Sequence, residues 1–268
     1  MTDHEDRRTY CDDIKMFVFD NDSTLFDHSV GYVREGVFTA LEKLKAKGYP
    51  LCMNSSRSYA ELCNIPQRLL DLMDVLILSN GAYIVYKDRT DVTCIPHDRV
   101  RTFIDFMDAH DLSYRYCTPD GGGFINRDDS EKRAIFQRLY GMMPPVKRYD
   151  GEEVIQILYY ATGEVREELI ALADGLECDR MANCGEISPA HKNKGESMIE
   201  VGSKMGITRE EICAFGDSGN DIEMMKLAGL GICVGNGTAE CKQAADYVCP
   251  SVSDEGVYEA LKYFGFID

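Results

Sequence analysis

No apolar run in this 268-residue chain approaches the length of about 18 residues that a membrane-spanning helix needs, so no such span is expected. The opening stretch MTDHEDRRTYCDD is polar and acidic and has no apolar signal segment, so a soluble cytoplasmic protein is expected. Basic residues are scarce: 29 Lys and Arg face 46 Asp and Glu, for a net charge of −17. Nucleic-acid phosphates require clustered Lys and Arg, and an anionic membrane surface repels such a chain. Neither partner is expected. An anionic substrate would have to find its positive charge locally, in a metal ion or in a few lysines and arginines. Closely spaced cysteine pairs are missing as well. The eleven cysteines run from Cys11 to Cys249, an odd number, and Cys52, Cys213 and Cys233 lie inside apolar runs. Free thiols in a reducing compartment are therefore expected, not a disulfide framework. Cys178, Cys184 and His191 fit no zinc spacing. Linkers, repeats and low-complexity tracts are absent too.

What the chain does have is a globular balance, 44% hydrophobic and 28% charged, at a length suited to one or two domains. Short runs rich in Val, Ile, Phe and Cys recur at Ile14–Phe19, Leu51–Met53, Val75–Leu78, Ile212–Phe215 and Leu230–Val234. Their unbroken apolarity predicts strands buried on both faces, as in a parallel sheet. Between them, Glu35–Lys47 and Lys194–Lys204 show helical spacing and end at Gly48 and Gly206. Strand–helix alternation implies a doubly wound α/β core. From about Tyr83 to Ala190 the pattern changes. Three helical patterns, around Val100–Met107, Ser130–Leu139 and Val165–Leu172, are mixed with the strand-like LSYRYC, GGFINR and VIQILYYAT. An inserted α+β domain over 84–187 is expected, with 1–83 and 188–268 forming the core.

The chemistry concentrates where the predicted strands stop. KMFVF runs into Asp20-Asn21-Asp22-Ser23-Thr24, and in open α/β sheets ligands bind at the carboxyl ends of the strands. Alone, Asp-x-Asp could equally be a loop capping the next helix. CAFGDSGND repeats the design, with Asp217, Asn220 and Asp221 after a strand. LCMNSSR ends a third strand in Ser55, Ser56 and Arg57, and HKNKGES puts Lys194 in the first turn of a helix. Hard oxygen donors from Asp20, Asp217 and Asp221 suit Mg²⁺, which keeps waters and binds phosphate oxygens. Lys194, Ser55 and backbone amides suit the remaining oxygens of a phosphate. One Asp can attack phosphorus, and the other, two residues on, can carry the proton. Phosphoryl transfer is the chemistry these residues can perform together.

These segments, in this order, resemble the four motifs of the haloacid dehalogenase (HAD) superfamily. SNGAYI, VGNGTAECKQAADYV and DEGVYEAL also resemble its Cof-type branch, in which a large α+β cap of the C2B type lies between the second and third motifs. The resemblance implies a Rossmann-like core and these roles. Asp20 is the nucleophile and a metal ligand. Asp22 is the acid/base and lends its backbone carbonyl to the metal. Thr24 supports the loop. Ser55, Ser56, Arg57, Lys194 and Asn220 bind phosphate or substrate, with Arg57 facing the substrate. Asp217 and Asp221 complete the Mg²⁺ site. Two residues depart from the family's commonest pattern, which has glycine where this chain has Ser23 and Ser56.

The expected function is hydrolysis of a small soluble phosphate ester, with sugar phosphates foremost, through an aspartyl-phosphate and under a cap that closes over the substrate. A phosphomutase shares this chemistry. A phospho-aspartate signalling module is a rival of another class, but it needs neither a cap nor a second Asp at the position of Asp22.

Overall fold

The computed structural model describes residues 13–181 and 183–268. The chain forms two units. The first draws on the described residues up to Ser55, Ile65–Ile77 and Lys194–Asp268, and the second on Ser56–Asn64 and Leu78–Asn193.

The first unit is built on parallel strands. β1 (Met16–Phe19) lies between β4 (Leu51–Asn54) and β13 (Ile212–Gly216). β5 (Val75–Leu78) pairs with the outer side of β4, and β14 (Leu230–Cys233) and then β15 (Tyr247–Val248) continue beyond β13, all parallel. All four β1 residues are fully buried. That burial is what a continuous apolar run in a doubly covered sheet delivers, at about 1.5–3 kcal/mol for each large side chain. α1 (Glu35–Ala46) buries Val37, Phe38, Leu41 and Leu44 along one stripe. α6 (Lys194–Lys204) does the same with Met198 and Val201. Gly48 and Gly206 follow these helices in left-handed backbone, at φ 87° and 73°. A short antiparallel hairpin, β2 (Phe26–Asp27) with β3 (Tyr32–Val33), follows β1.

The second unit carries an antiparallel sheet in the order β11 (Glu177–Arg180), β12 (Gly185–Ser188), β10 (Gln156–Tyr159), β8 (Tyr114–Cys117), β9 (Gly123–Ile125). Alternation divides its faces. Tyr114, Tyr116, Ile157, Tyr159 and Ile187 form an apolar core with Val100, Phe103 and Met107 of α3 (His97–Ala109) and Leu169 of α5 (Gly163–Leu172). Arg115, Gln156 and Glu186 alternate with those residues and so belong to the other face. The Arg115 guanidinium is buried there. It pairs with Glu61, donates to Gln156 Oε1 at 2.8 Å and lies 3.9 Å from Glu186. Burial raises the Glu186 carboxyl to about 7, against the pull of Arg115. The glycine-rich PDGGGFINR stretch is a closed hairpin turn. Gly121 N–H donates to the Thr118 carbonyl at 3.0 Å, and Asp120 Oδ1 accepts from Thr118 Oγ1 at 2.5 Å and from Gly122 N–H at 3.0 Å.

The five strands and two helices read from the sequence of the first unit lie within two residues of their expected bounds. Ser56–Asn64 belongs to the second unit. Ala60 N–H donates to the Gly121 carbonyl at 3.2 Å, Gln156 Nε2 donates to the Ser56 carbonyl at 3.2 Å, and Glu61 holds Arg115. Among the described residues no helix is long and apolar enough to cross a membrane.

Candidate active site

The end of β1 delivers Asp20. Its N–H still donates to the Phe215 carbonyl at 2.8 Å, so the sheet fixes its backbone just as the side chain leaves the strand. Its Oδ1 accepts from Lys194 Nζ at 2.5 Å, and the same ammonium donates to Asp221 Oδ1 at 2.7 Å. Lys194 is 2% exposed and opens α6. Its carbonyl accepts from Asn54 Nδ2 at 2.9 Å, which ties the start of that helix to the end of β4.

Asp217 and Asp221 come from the turn after β13. Asp221 Oδ2 accepts the N–H groups of Asp217 at 2.9 Å and Ser218 at 3.0 Å, so this carboxylate caps its own turn with one oxygen and meets Lys194 with the other. The packing demands glycine at 216: a Cβ there would sit 2.6 Å from Asp221 Cβ. The result is a group of three carboxylates, Asp20, Asp217 and Asp221, with oxygens within 4.8 Å of one another.

The electrostatics of this group are lopsided. Burial pushes the Asp20 carboxyl well above its usual range; Lys194 opposes the shift, and Asp221, Asp217 and Asp22 add to it. Asp217 is raised to about 7, first by burial and then by Asp221. Burial works against the Lys194 ammonium, yet Asp20 and Asp221 hold its pKa above the usual lysine value. Lys194 thus pairs with two of the three carboxylates, and the surplus negative charge calls for a proton or a cation. Asp20 Oδ2 is buried with no hydrogen-bond partner. Hard oxygens, surplus negative charge and an unpartnered buried carboxylate oxygen together fit a hard divalent cation.

Asp22 stands apart from this group. The Asn21 carbonyl accepts the N–H groups of Leu25 and Phe26 at 2.9 and 2.8 Å, and Ser23 N–H donates to the Phe26 carbonyl at 2.9 Å. This tight turn puts Ser23 in left-handed backbone at φ 63°, where glycine is at ease and serine is strained. The Asp22 carboxylate meets His28 Nε2 at 2.7 Å. Thr24 is fully buried beneath the turn.

Ser55 is 1% exposed, and its N–H donates to the Ile77 carbonyl at 2.8 Å, which extends the β4–β5 pairing to the serine. Ser56 is not among the described non-glycine residues with positive φ, so its side chain meets no backbone strain. Asn220 Oδ1 accepts from Ser218 Oγ at 2.7 Å, within the turn that carries Asp221. Arg57 belongs to the second unit. Its guanidinium is buried and donates to the Glu61 carbonyl at 2.7 Å, Asn64 Oδ1 at 2.6 Å and the Leu139 carbonyl at 3.3 Å, with its charge 4.9 Å from the Tyr140 ring centroid. Those partners hold Arg57 within the second unit.

The structure therefore brings Asp20, Lys194, Asp217 and Asp221 together and leaves the Asp22 carboxylate outside that group. Sequence reasoning missed two residues. Asn54 had a signal, as the lone amide ending an apolar strand. His28 had none, because it lies in a turn, just after a strand, β2, of only two residues.

A family model described as haloacid dehalogenase-like hydrolase matches residues 17–261. The chain is 28% identical over 261 residues to a putative bifunctional phosphatase/peptidyl-prolyl cis-trans isomerase of Streptococcus pyogenes serotype M6. That match covers 95% of this chain and 55% of the relative, so the chain spans about half of that relative's length. It is 24% identical over 246 residues to a 5-amino-6-(5-phospho-D-ribitylamino)uracil phosphatase of Bacillus subtilis, covering 87% of this chain and 91% of that one. Among solved structures, a HAD subclass IIB sugar phosphatase matches with a TM-score of 0.88 at 26% identity, covering 94% of this chain and 100% of that one. The family match takes in both units and every residue of the carboxylate group, and the protein belongs to the haloacid dehalogenase-like hydrolase family.

Proposed function

We propose that the chain is a Mg²⁺-dependent phosphomonoester hydrolase that acts through an aspartyl-phosphate on a small soluble phosphate ester. Sugar phosphates are the first class to test, given the sugar phosphatase among its structural relatives. One observation carries the reading: Asp20 has one oxygen on a buried ammonium and the other without a partner, beside two further carboxylates.

In the first step the Asp20 carboxylate attacks phosphorus. The P–O bond to the leaving group breaks, and Asp22 gives that oxygen its proton. In the second step water surrenders a proton to Asp22 and attacks the same phosphorus; the bond to Asp20 breaks and inorganic phosphate leaves. Lys194 orients Asp20 and offsets the charge of the incoming phosphate, and the Ser55 hydroxyl binds a phosphate oxygen. Asp20, Asp217, Asp221 and the Asp22 carbonyl would hold Mg²⁺, whose chemistry here is to neutralise phosphate charge and offset anion–anion repulsion. The inserted unit is assigned to substrate selection. Every cysteine described is a free thiol, which supports a reducing, cytoplasmic setting.

The test is a screen of phosphate esters for released phosphate, with and without Mg²⁺, on the wild type and on Asp20→Asn. Mg²⁺-dependent release that Asp20→Asn abolishes, with the fold kept, supports the reading. Turnover by Asp20→Asn at the wild-type rate sinks the nucleophile, and an isomerised phosphate ester without released phosphate makes the protein a mutase.

A further inference from the structure

We propose that His28 is a positioning residue that holds the Asp22 carboxyl group in the orientation its proton transfers require; the inference rests on the phosphatase reading above. The local sequence builds this arrangement in steps. The turn closed by the Asn21 carbonyl and by Ser23 N–H returns Phe26 to Asp22, and the two form an isolated bridge. Phe26 and Asp27 then enter the β2–β3 hairpin. Asp27 is 2% exposed and anchors that hairpin. Its Oδ1 accepts from Ser29 N–H at 2.9 Å and Ser29 Oγ at 2.6 Å, and its Oδ2 accepts from Arg34 Nε at 2.8 Å. His28 thus sits between Asp27 and Ser29, which the buried Asp27 carboxylate ties together. Its ring meets the Phe26 ring edge-on, with centroids 5.0 Å apart, and its Nε2 lies 2.7 Å from Asp22 Oδ1.

The consequence is geometric. Asp22 lies outside the Asp20, Asp217 and Asp221 group, so the shared ammonium does not orient it. An aspartate at a turn has several staggered rotamers open to it, and a ring held by an anchored hairpin selects among them. General acid catalysis contributes about 10²–10⁴-fold, and a displacement of about 1 Å can cost about a hundredfold. Loss of the imidazole is therefore expected to cost the protonation step about tenfold to a hundredfold.

Leaving-group chemistry isolates that step. A p-nitrophenolate departs without protonation, whereas the alkoxide of an alkyl phosphate must be protonated as the P–O bond breaks. The full chain with Mg²⁺ is assayed on p-nitrophenyl phosphate and on the best alkyl phosphate from the screen. In His28→Ala the alkyl-to-aryl ratio of kcat/KM is expected to fall about tenfold or more. His28→Gln, which supplies an N–H, should recover part of the ratio, and Asp22→Asn should lower it further. Equal losses on both esters would mean a merely structural role and overturn the proposal, as would an unchanged ratio in both His28 variants. A wild type that hydrolyses neither ester overturns the phosphatase reading, and this inference with it. Thermal unfolding checks that the variants fold.

Discussion

Replacing Lys194 with methionine removes the one ammonium that serves two buried carboxylates while keeping a side chain of similar length. Lys194 is 2% exposed, Asp221 is fully buried and Asp20 is 4% exposed, so water cannot substitute for the lost charge. Breaking a buried pair by removing one partner costs about 3–5 kcal/mol. At about 2–4 °C per kcal/mol for a protein of this size, the unfolding midpoint should drop by about 6–20 °C. The loss should also depend on pH, with a definite sign. Asp20 is already raised above its usual 3.8 by burial, and Lys194 is the group that opposes the shift. In Lys194→Met the Asp20 value therefore climbs further, and Asp217, at about 7 in the wild type, follows. A carboxyl raised in the folded state holds more protons there than in the unfolded chain. Its cost is absent below the unfolded pKa and grows as pH rises through the folded one. The deficit of Lys194→Met should accordingly be small near about pH 5 and large near about pH 8, measured by thermal or urea unfolding in chelator. Mg²⁺ at about a hundred times its dissociation constant should then restore about 2.7 kcal/mol, because a cation in the same carboxylates replaces the missing charge. A variant as stable as the wild type at about pH 8, or with the same deficit at both pH values, would refute the shared-ammonium reasoning.

Two further substitutions probe the shape of the site. Gly216→Ala puts a Cβ 2.6 Å from Asp221 Cβ, and displacing that carboxylate should cost about 1–3 kcal/mol and weaken the stabilisation by Mg²⁺; an unchanged Mg²⁺ titration curve would show that Asp221 tolerates the shift. Ser23→Gly relieves a left-handed serine at φ 63° and should stabilise the protein by about 0.5–1 kcal/mol after the added freedom of the unfolded chain is counted; a lowered unfolding midpoint would mean that the serine hydroxyl outweighs the strain.

The carboxylate group was legible in the sequence because its residues interrupt buried strands. A parallel strand covered on both faces tolerates no charge, so FVFD and AFGD announce where the sheet ends, and the fold aligns those ends. The second unit was less legible for the opposite reason. Its sheet puts charge inside: Glu186 lies in mid-strand in β12, and Arg115 sits among tyrosines in β8. β11, the segment Glu177–Arg180, is partly exposed and shows neither alternation nor an apolar run. Arg57 makes the point most sharply. It follows a phosphate-type loop, and local sequence says only that a cation stands there. Its guanidinium meets the nearby Glu61 carbonyl and Asn64, and also Leu139 and Tyr140, some 80 residues away, which supply a further carbonyl and a ring. The same holds for Arg115 and Glu61, 54 residues apart, whose pairing takes Ser56–Asn64 out of the first unit. A charge at the end of an apolar run betrays its position because the run itself is the evidence of burial. A charge buried by a distant partner leaves no such mark, since the partner's own letter, whether Glu61 or Leu139, has an exposed reading that is just as consistent with its neighbours.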